Sequence, residues 1–126
     1  MNNSAVLEHM EAMLAQDFAA IMSIVCCKAG MMPQEVLSRT RDTRTCNARH
    51  VISYLMRSRG HSFARIGRCL RRNHATVIYG IRMIEDAVRV RHGYEDLLTL
   101  FEAARKEWGR YVSEVENKKE GDDGKF

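Results

Sequence analysis

Thirteen arginines and no lysine lie between residues 39 and 91, against three acidic residues, Asp42, Glu85 and Asp86. Thirteen positive and three negative charges make that window about +10. The remaining seven basic and thirteen acidic residues make the rest about −6, so the net +4 hides a cationic segment between acidic flanks. Arginine presents a planar, permanently charged fork that matches phosphate oxygens and the O6/N7 edge of guanine. A block of this kind inside a segment that also reads as folded helix points to nucleic acid. Within it, Arg71, Arg72, Asn73, His74 and Thr76 cluster donors and mixed donor–acceptors at a predicted helix start. There the unpaired backbone N–H groups and the positive dipole end favour a phosphate. A capped, solvated helix start would carry the same residue types.

Other chemistries find little support. The five histidines are scattered, and Cys26, Cys27, Cys46 and Cys69 form no C-x-x-C pair, so no metal site and no cofactor are expected. The cysteines read as reduced, with several buried as small apolar groups. His50, His61 and His74 with Cys46 or Cys69 offer nucleophile–base pairs in principle. No local signature such as G-x-S-x-G supports one, and no enzymatic activity is expected. No apolar run approaches the roughly eighteen residues needed to cross a bilayer, and a cytoplasmic location with the nucleoid follows as the expectation.

The elements that must position the basic cluster are helical. Hydrophobic content of 45% is enough for a small core, and one proline argues against a turn-rich β protein. Leu7, Met10, Leu14, Phe18, Ile21 and Val25 recur every three or four positions, one stripe of an amphipathic helix stopped at Gly30. Pro33 suits the first position of a short turn over 34–38. Residues 39–45 read as a basic loop or arm running into a helix, capped near Thr43 or Thr45, that buries Val51, Ile52, Leu55 and Met56. Ser62 caps a short helix burying Phe63, Ile66 and Leu70. Arg71 and Arg72 form a tight connection, and Asn73 caps a helix over 74–91 that buries Val77, Ile78, Ile81, Ile84 and Val88. The last helix, 94–117, carries Leu97, Phe101, Ala104, Trp108, Tyr111 and Val115 at a period near 3.5. That stripe either packs on the first helix or offers a seam to a second copy or a protein partner. Residues 1–3 and 118–126 are expected to be disordered.

Residues 62–91 therefore read as helix, very short turn, longer helix, the grammar of a helix-turn-helix whose second helix enters the major groove. Ile66-Gly67 followed by Arg72-Asn73-His74-Ala75-Thr76-Val77-Ile78-Tyr79-Gly80 resembles the signature I-G…F-G-G-R-D-H-T-T-V-L-H-A of the C-terminal DNA-binding domain of the bacterial replication initiator DnaA. Upstream, Val36-Leu37-Ser38-Arg39-Thr40-Arg41 is similar to the family's L-L-S-K-x-R stretch, and Ala48-Arg49-His50 to its R-P-R-Q helix start. The resemblance covers roughly residues 18–105. It implies a compact all-α, multi-helix domain with a Trp-repressor-like helix-turn-helix, here with an extended C-terminal helix. It also implies that His74, Ala75 and Thr76 read bases in the major groove, with Asn73 where the family has an acidic residue that also touches DNA, and that Arg41 enters the adjacent minor groove.

The departures are Asn73 for Asp, Ala75 for Thr, and Arg71 in place of a Gly-Gly turn that is one residue longer. They put the family's binding-site sequence in doubt while adding positive charge. The chain also lacks a G-x-x-x-x-G-K-[ST] loop, so the resemblance points to a stand-alone DNA-binding domain without the ATPase module.

The sequence thus leads to three segments: an N-terminal helix extension over 1–17, the DnaA-like domain over 18–105, and a C-terminal helix extension and tail over 106–126. The expected function is sequence-specific binding of double-stranded DNA, in control of replication initiation or transcription. Arg39, Arg44, Arg49, Arg65, Arg68 and Arg82 are candidate phosphate contacts. Arg72 or Asn73 adds to the base readers. Tyr79, one turn beyond Thr76, reads either as a phosphate or sugar contact or as core. The alternative is a protein-interaction adaptor, or an RNA-binding module, using the same arginine face.

Overall fold

The computed structural model describes residues 3–123, which form six helices: α1 Asn3–Ala29, α2 Pro33–Leu37, α3 Thr43–Ser58, α4 Phe63–Leu70, α5 His74–Val90 and α6 Glu95–Asp123. The breaks fall where local chemistry dictates. Gly30 takes φ +65°, and the Met31 N–H bonds back to the Cys26 carbonyl at 3.0 Å, closing α1. Pro33 opens α2, whose Glu35 carboxylate accepts from the Met32 N–H at 2.7 Å. Ser62 and Asn73 cap α4 and α5 through their side-chain oxygens.

Helix α3 is the centre, and every other helix packs against it. Its Ala48, Val51, Ile52, Leu55 and Met56 are buried against Ile21 and Val25 of α1, Val77 and Ile84 of α5, and Leu97, Phe101 and Ala104 of α6. Each large apolar side chain removed from water there contributes roughly 1.5–3 kcal/mol. One polar tie crosses this core. His61, after α3, lies 2.7 Å through Nε2 from the Asp17 carboxylate of α1, and both side chains are buried. Arg59 flanks the same oxygen at 3.4 Å. Forty-four positions separate the pair, so no local pattern announces it.

Several sequence expectations are corrected. Leu7 and Met10 extend the α1 stripe but are exposed, because α1 runs past the body of the domain; burial begins at Leu14. Val88 is exposed on the last turns of α5. Helix α6 does not stop near residue 117 but continues to Asp123, and α1 begins at Asn3; residues 1–2 and 124–126 lie outside the described residues. By length and composition α1 is apolar enough to cross a bilayer, contrary to the expectation for any segment of this chain. Here it serves as a wall of the core, with Asp17, ion-paired to Arg59, in its middle. The α6 stripe lies on α1 and α3: Leu97, Phe101, Ala104 and Trp108 are buried, and Trp108 stacks on Tyr111 at 5.3 Å.

Candidate nucleic-acid interface

The α4–α5 pair is built around two close approaches. A Cβ on Gly67 would sit 2.5 Å from the Arg72 carbonyl, so the turn can fold back on α4 only over a glycine. The Arg72 N–H donates to the Gly67 carbonyl at 2.8 Å, and Arg71 closes the turn in the left-handed conformation, φ 59° and ψ 42°. On α5, a Cβ at Gly80 would meet His50 Nδ1 at 2.6 Å, which sets how closely α5 lies on α3. Val77, Gly80, Ile84 and Ala87 face inward at helical spacing. The opposite face therefore presents His74, Ala75, Thr76, Tyr79 and Arg82 to solvent, all of them exposed. Tyr79 is 58% exposed and meets the His50 ring edge-on at 5.8 Å, which decides against core packing for it.

At the α5 start the Asn73 side-chain oxygen accepts from the Thr76 N–H at 2.9 Å and from the Thr76 hydroxyl at 3.0 Å. That oxygen is a cap, and the outward groups of Asn73 and Thr76 are the amide N–H donors of the one and the methyl and hydroxyl lone pairs of the other. Beside them runs the loop of residues 38–42, which carries Arg41, an exposed arginine. Arg41, Cys46, His50, Arg72, Thr76 and Tyr79 share the walls of one depression of about 560 Å³. Burial first, and then the neighbouring charges of Arg49 and Arg41, hold the Arg72 guanidinium below its ordinary range. Three positive charges thus crowd one place. Burial, with the Arg49 charge second, also holds the His50 imidazole below its ordinary value.

The arginine block divides once its partners are known. Arg39, Arg41, Arg71 and Arg82 are exposed and engage no side-chain hydrogen bond or ion pair among the described residues. Arg44, also a candidate phosphate contact, is exposed and donates through Nη2 to the Ala29 and Gly30 carbonyls at the end of α1, satisfying the negative end of that helix. Arg49, also expected at a phosphate, is 7% exposed and spends its guanidinium on backbone carbonyls of residues 35–40. Arg65 and Arg68 lie against Glu11 of α1, at 3.9 and 3.0 Å. Arg72 donates to the Leu70, Arg71 and Ser38 carbonyls and so braces the turn. The sequence reading missed these structural uses. Their only local sign is that several of these arginines alternate with core positions on the same helices.

A family model described as the bacterial dnaA protein helix-turn-helix matches residues 18–84. No curated protein matches the chain. Because the matched stretch takes in the second half of α1, the arm, the turn and the start of α5, more than half of the 126 residues, the chain belongs to the family of the bacterial dnaA protein helix-turn-helix, a DNA-binding fold that is not itself catalytic.

Proposed function

We propose that the chain binds double-stranded DNA sequence-specifically, with the start of α5 in the major groove and Arg41 in the adjoining minor groove. The observation that carries this reading is the depression shared by Arg41, Thr76 and Tyr79, with His74 and Ala75 exposed on the turn of α5 that opens it. His74 offers a ring nitrogen to a base edge, Ala75 a methyl to thymine, and Thr76 its methyl and hydroxyl oxygen. Asn73 donates its amide N–H to an acceptor on a base or phosphate. A narrow A·T-rich minor groove concentrates negative potential and draws in a guanidinium such as that of Arg41. Arg39, Arg71 and Arg82 grip phosphates, setting affinity and register more than sequence preference. Arg82 lies one turn past Tyr79, and beyond it the exposed Glu85 and the Arg89-paired Asp86 bring negative charge, which limits the α5 footprint to its first three turns.

Residues 18–105 form the DNA-reading unit in this view, and residues 1–17 and 106–126 are extensions of it. The function follows from occupancy of a site on cellular DNA, in control of replication initiation or transcription.

The test is selection of bound fragments from a random duplex library, followed by titration of the selected duplex and a scrambled one. His74→Ala should cost about 1–3 kcal/mol on the selected duplex and less on the scrambled one. With Arg39, Arg71 and Arg82 on phosphates and Arg41 in the minor groove, the log–log salt slope should be about −3 to −4. Equal losses on both duplexes, a flat salt response, or tighter binding to structured RNA than to duplex DNA would count against the reading.

A further inference from the structure

The Arg49 guanidinium has no donor left over. Its Nε–H donates to the Val36 carbonyl at 2.7 Å. Nη1 donates to the Thr40 carbonyl at 2.6 Å and lies 3.9 Å from the Cys46 sulfur. Nη2 donates to the Ser38 carbonyl at 2.7 Å and approaches the Glu35 carbonyl at 3.4 Å. From the other side, Arg72 Nη2 donates to the same Ser38 oxygen. A carbonyl oxygen has two lone pairs, so this one atom can accept from both guanidinium groups. The other hydrogen bonds of this segment are local. The Ser38 hydroxyl and N–H both donate to the Glu35 carbonyl, and the Thr40 N–H donates to the Ser38 hydroxyl. The segment that carries Arg41 is therefore tied to the rest of the fold through Arg49 on α3 and Arg72 in the helix-turn-helix turn.

We infer that Arg49 and Arg72 are positioning residues for DNA readout. By converging on the Ser38 carbonyl they set the distance between Arg41 and the start of α5, so the minor-groove and major-groove readers engage the duplex in one register. The inference rests on the reading of Arg41 as the minor-groove contact. The physical reason lies in the guanidinium itself, whose fork can hold several carbonyls in fixed directions where an ammonium acts as a single point charge. An arm ordered before DNA arrives loses less conformational freedom on binding, which preserves the discrimination that Arg41 supplies.

The experiment compares the whole chain with Arg41→Ala, Arg72→Met and Arg41→Ala/Arg72→Met on three duplexes. These are the selected site, the site with its minor-groove A·T pairs changed to G·C, and the site with a major-groove pair changed under α5. Arg41→Ala should weaken the selected site about ten-fold and erase the A·T preference. Arg72→Met should lose a larger share of the A·T preference than of the major-groove one, and the double variant should discriminate A·T from G·C no worse than Arg41→Ala. Arg72 is less buried than Arg49, and circular dichroism melting verifies that its variant folds. A folded Arg72→Met that keeps the full A·T preference overturns the inference alone. Indifference of the selected site to Arg41→Ala overturns the Arg41 reading and the inference with it. A second measurement needs no variant. Amide hydrogen exchange at Ser38 and Thr40, whose N–H groups donate to the Glu35 carbonyl and the Ser38 hydroxyl, should be slowed in the free protein and change little when the selected duplex binds. Free-state exchange at unprotected rates, with protection appearing only on binding, overturns the inference as well.

Discussion

Replacing Arg71 by glycine should raise the stability of the domain while lowering its affinity for DNA. Arg71 sits at φ 59° and ψ 42°, and an L-residue held there costs roughly 1–2 kcal/mol that glycine does not incur. Glycine gives back about 0.5–1 kcal/mol by loosening the unfolded chain. The net gain expected is about 0.5–1 kcal/mol. The hydrogen bonds of the turn, Arg71 N–H to the Arg68 carbonyl at 3.3 Å and Arg72 N–H to the Gly67 carbonyl at 2.8 Å, belong to the backbone and survive the change. A gain of that size shifts the melting temperature of a domain of this length upward by roughly 2–6 °C. The same substitution removes one of four unpartnered guanidinium groups, beside the start of α5. The log–log salt slope should fall in magnitude by about 0.9 and binding should weaken on selected and scrambled duplexes alike. Chemical denaturation and fluorescence anisotropy at several salt concentrations measure the two effects. A variant that is less stable, or that binds with unchanged affinity and slope, refutes the argument that this position tolerates backbone strain for the sake of a phosphate contact.

Two further predictions concern the framework under the interface. Gly67→Ala places a Cβ 2.5 Å from the Arg72 carbonyl, which is backbone and cannot swing aside, so a loss of about 1–3 kcal/mol is expected in the urea midpoint. An unchanged midpoint would show that the turn has slack. His50 has its pKa lowered from 6.5, by burial first and by the Arg49 charge second, so the folded state prefers the neutral ring. Its contribution to stability is complete above the unfolded value of 6.5 and is lost as pH falls through the lower folded value. Denaturation at pH 7.5 and at successively lower pH should show a decline that His50→Gln flattens; a decline of equal size in the variant would assign it to other groups.

The helices of this chain are legible one at a time. Gly30, Pro33, Ser62 and Asn73 act through their own backbone or through a hydrogen bond to a residue three positions on, so their effect is local, and the observed ends fall at them. The inward faces of α3 and α5 follow from helical periodicity for the same reason. The exposed α5 start was also readable, because capping and the I-G…R-N-H-A-T-V pattern place His74, Ala75 and Thr76 at a helix N-terminus. Periodicity misled at Leu7 and Met10, where the stripe runs on past the body of the domain, and at Val88, which is exposed although its neighbour Ala87 is buried. It also placed the end of α6 too early. No stop signal lies between residues 117 and 123 until Gly121, and helix bonds continue through it.

From the chain of residues alone came the class, the helix-turn-helix and the concentration of positive charge, since composition, spacing and caps are properties of short stretches. Which of the thirteen arginines are engaged by the protein's own acceptors was decided only by the tertiary structure. A guanidinium goes to whichever acceptor the fold brings within about 3 Å. For Arg44, Arg49 and Arg72 those acceptors are carbonyls of neighbouring helix ends and loops, and for Arg68 a carboxylate fifty-seven positions away. Charge can be counted along a sequence, but its availability depends on neighbours that only folding supplies.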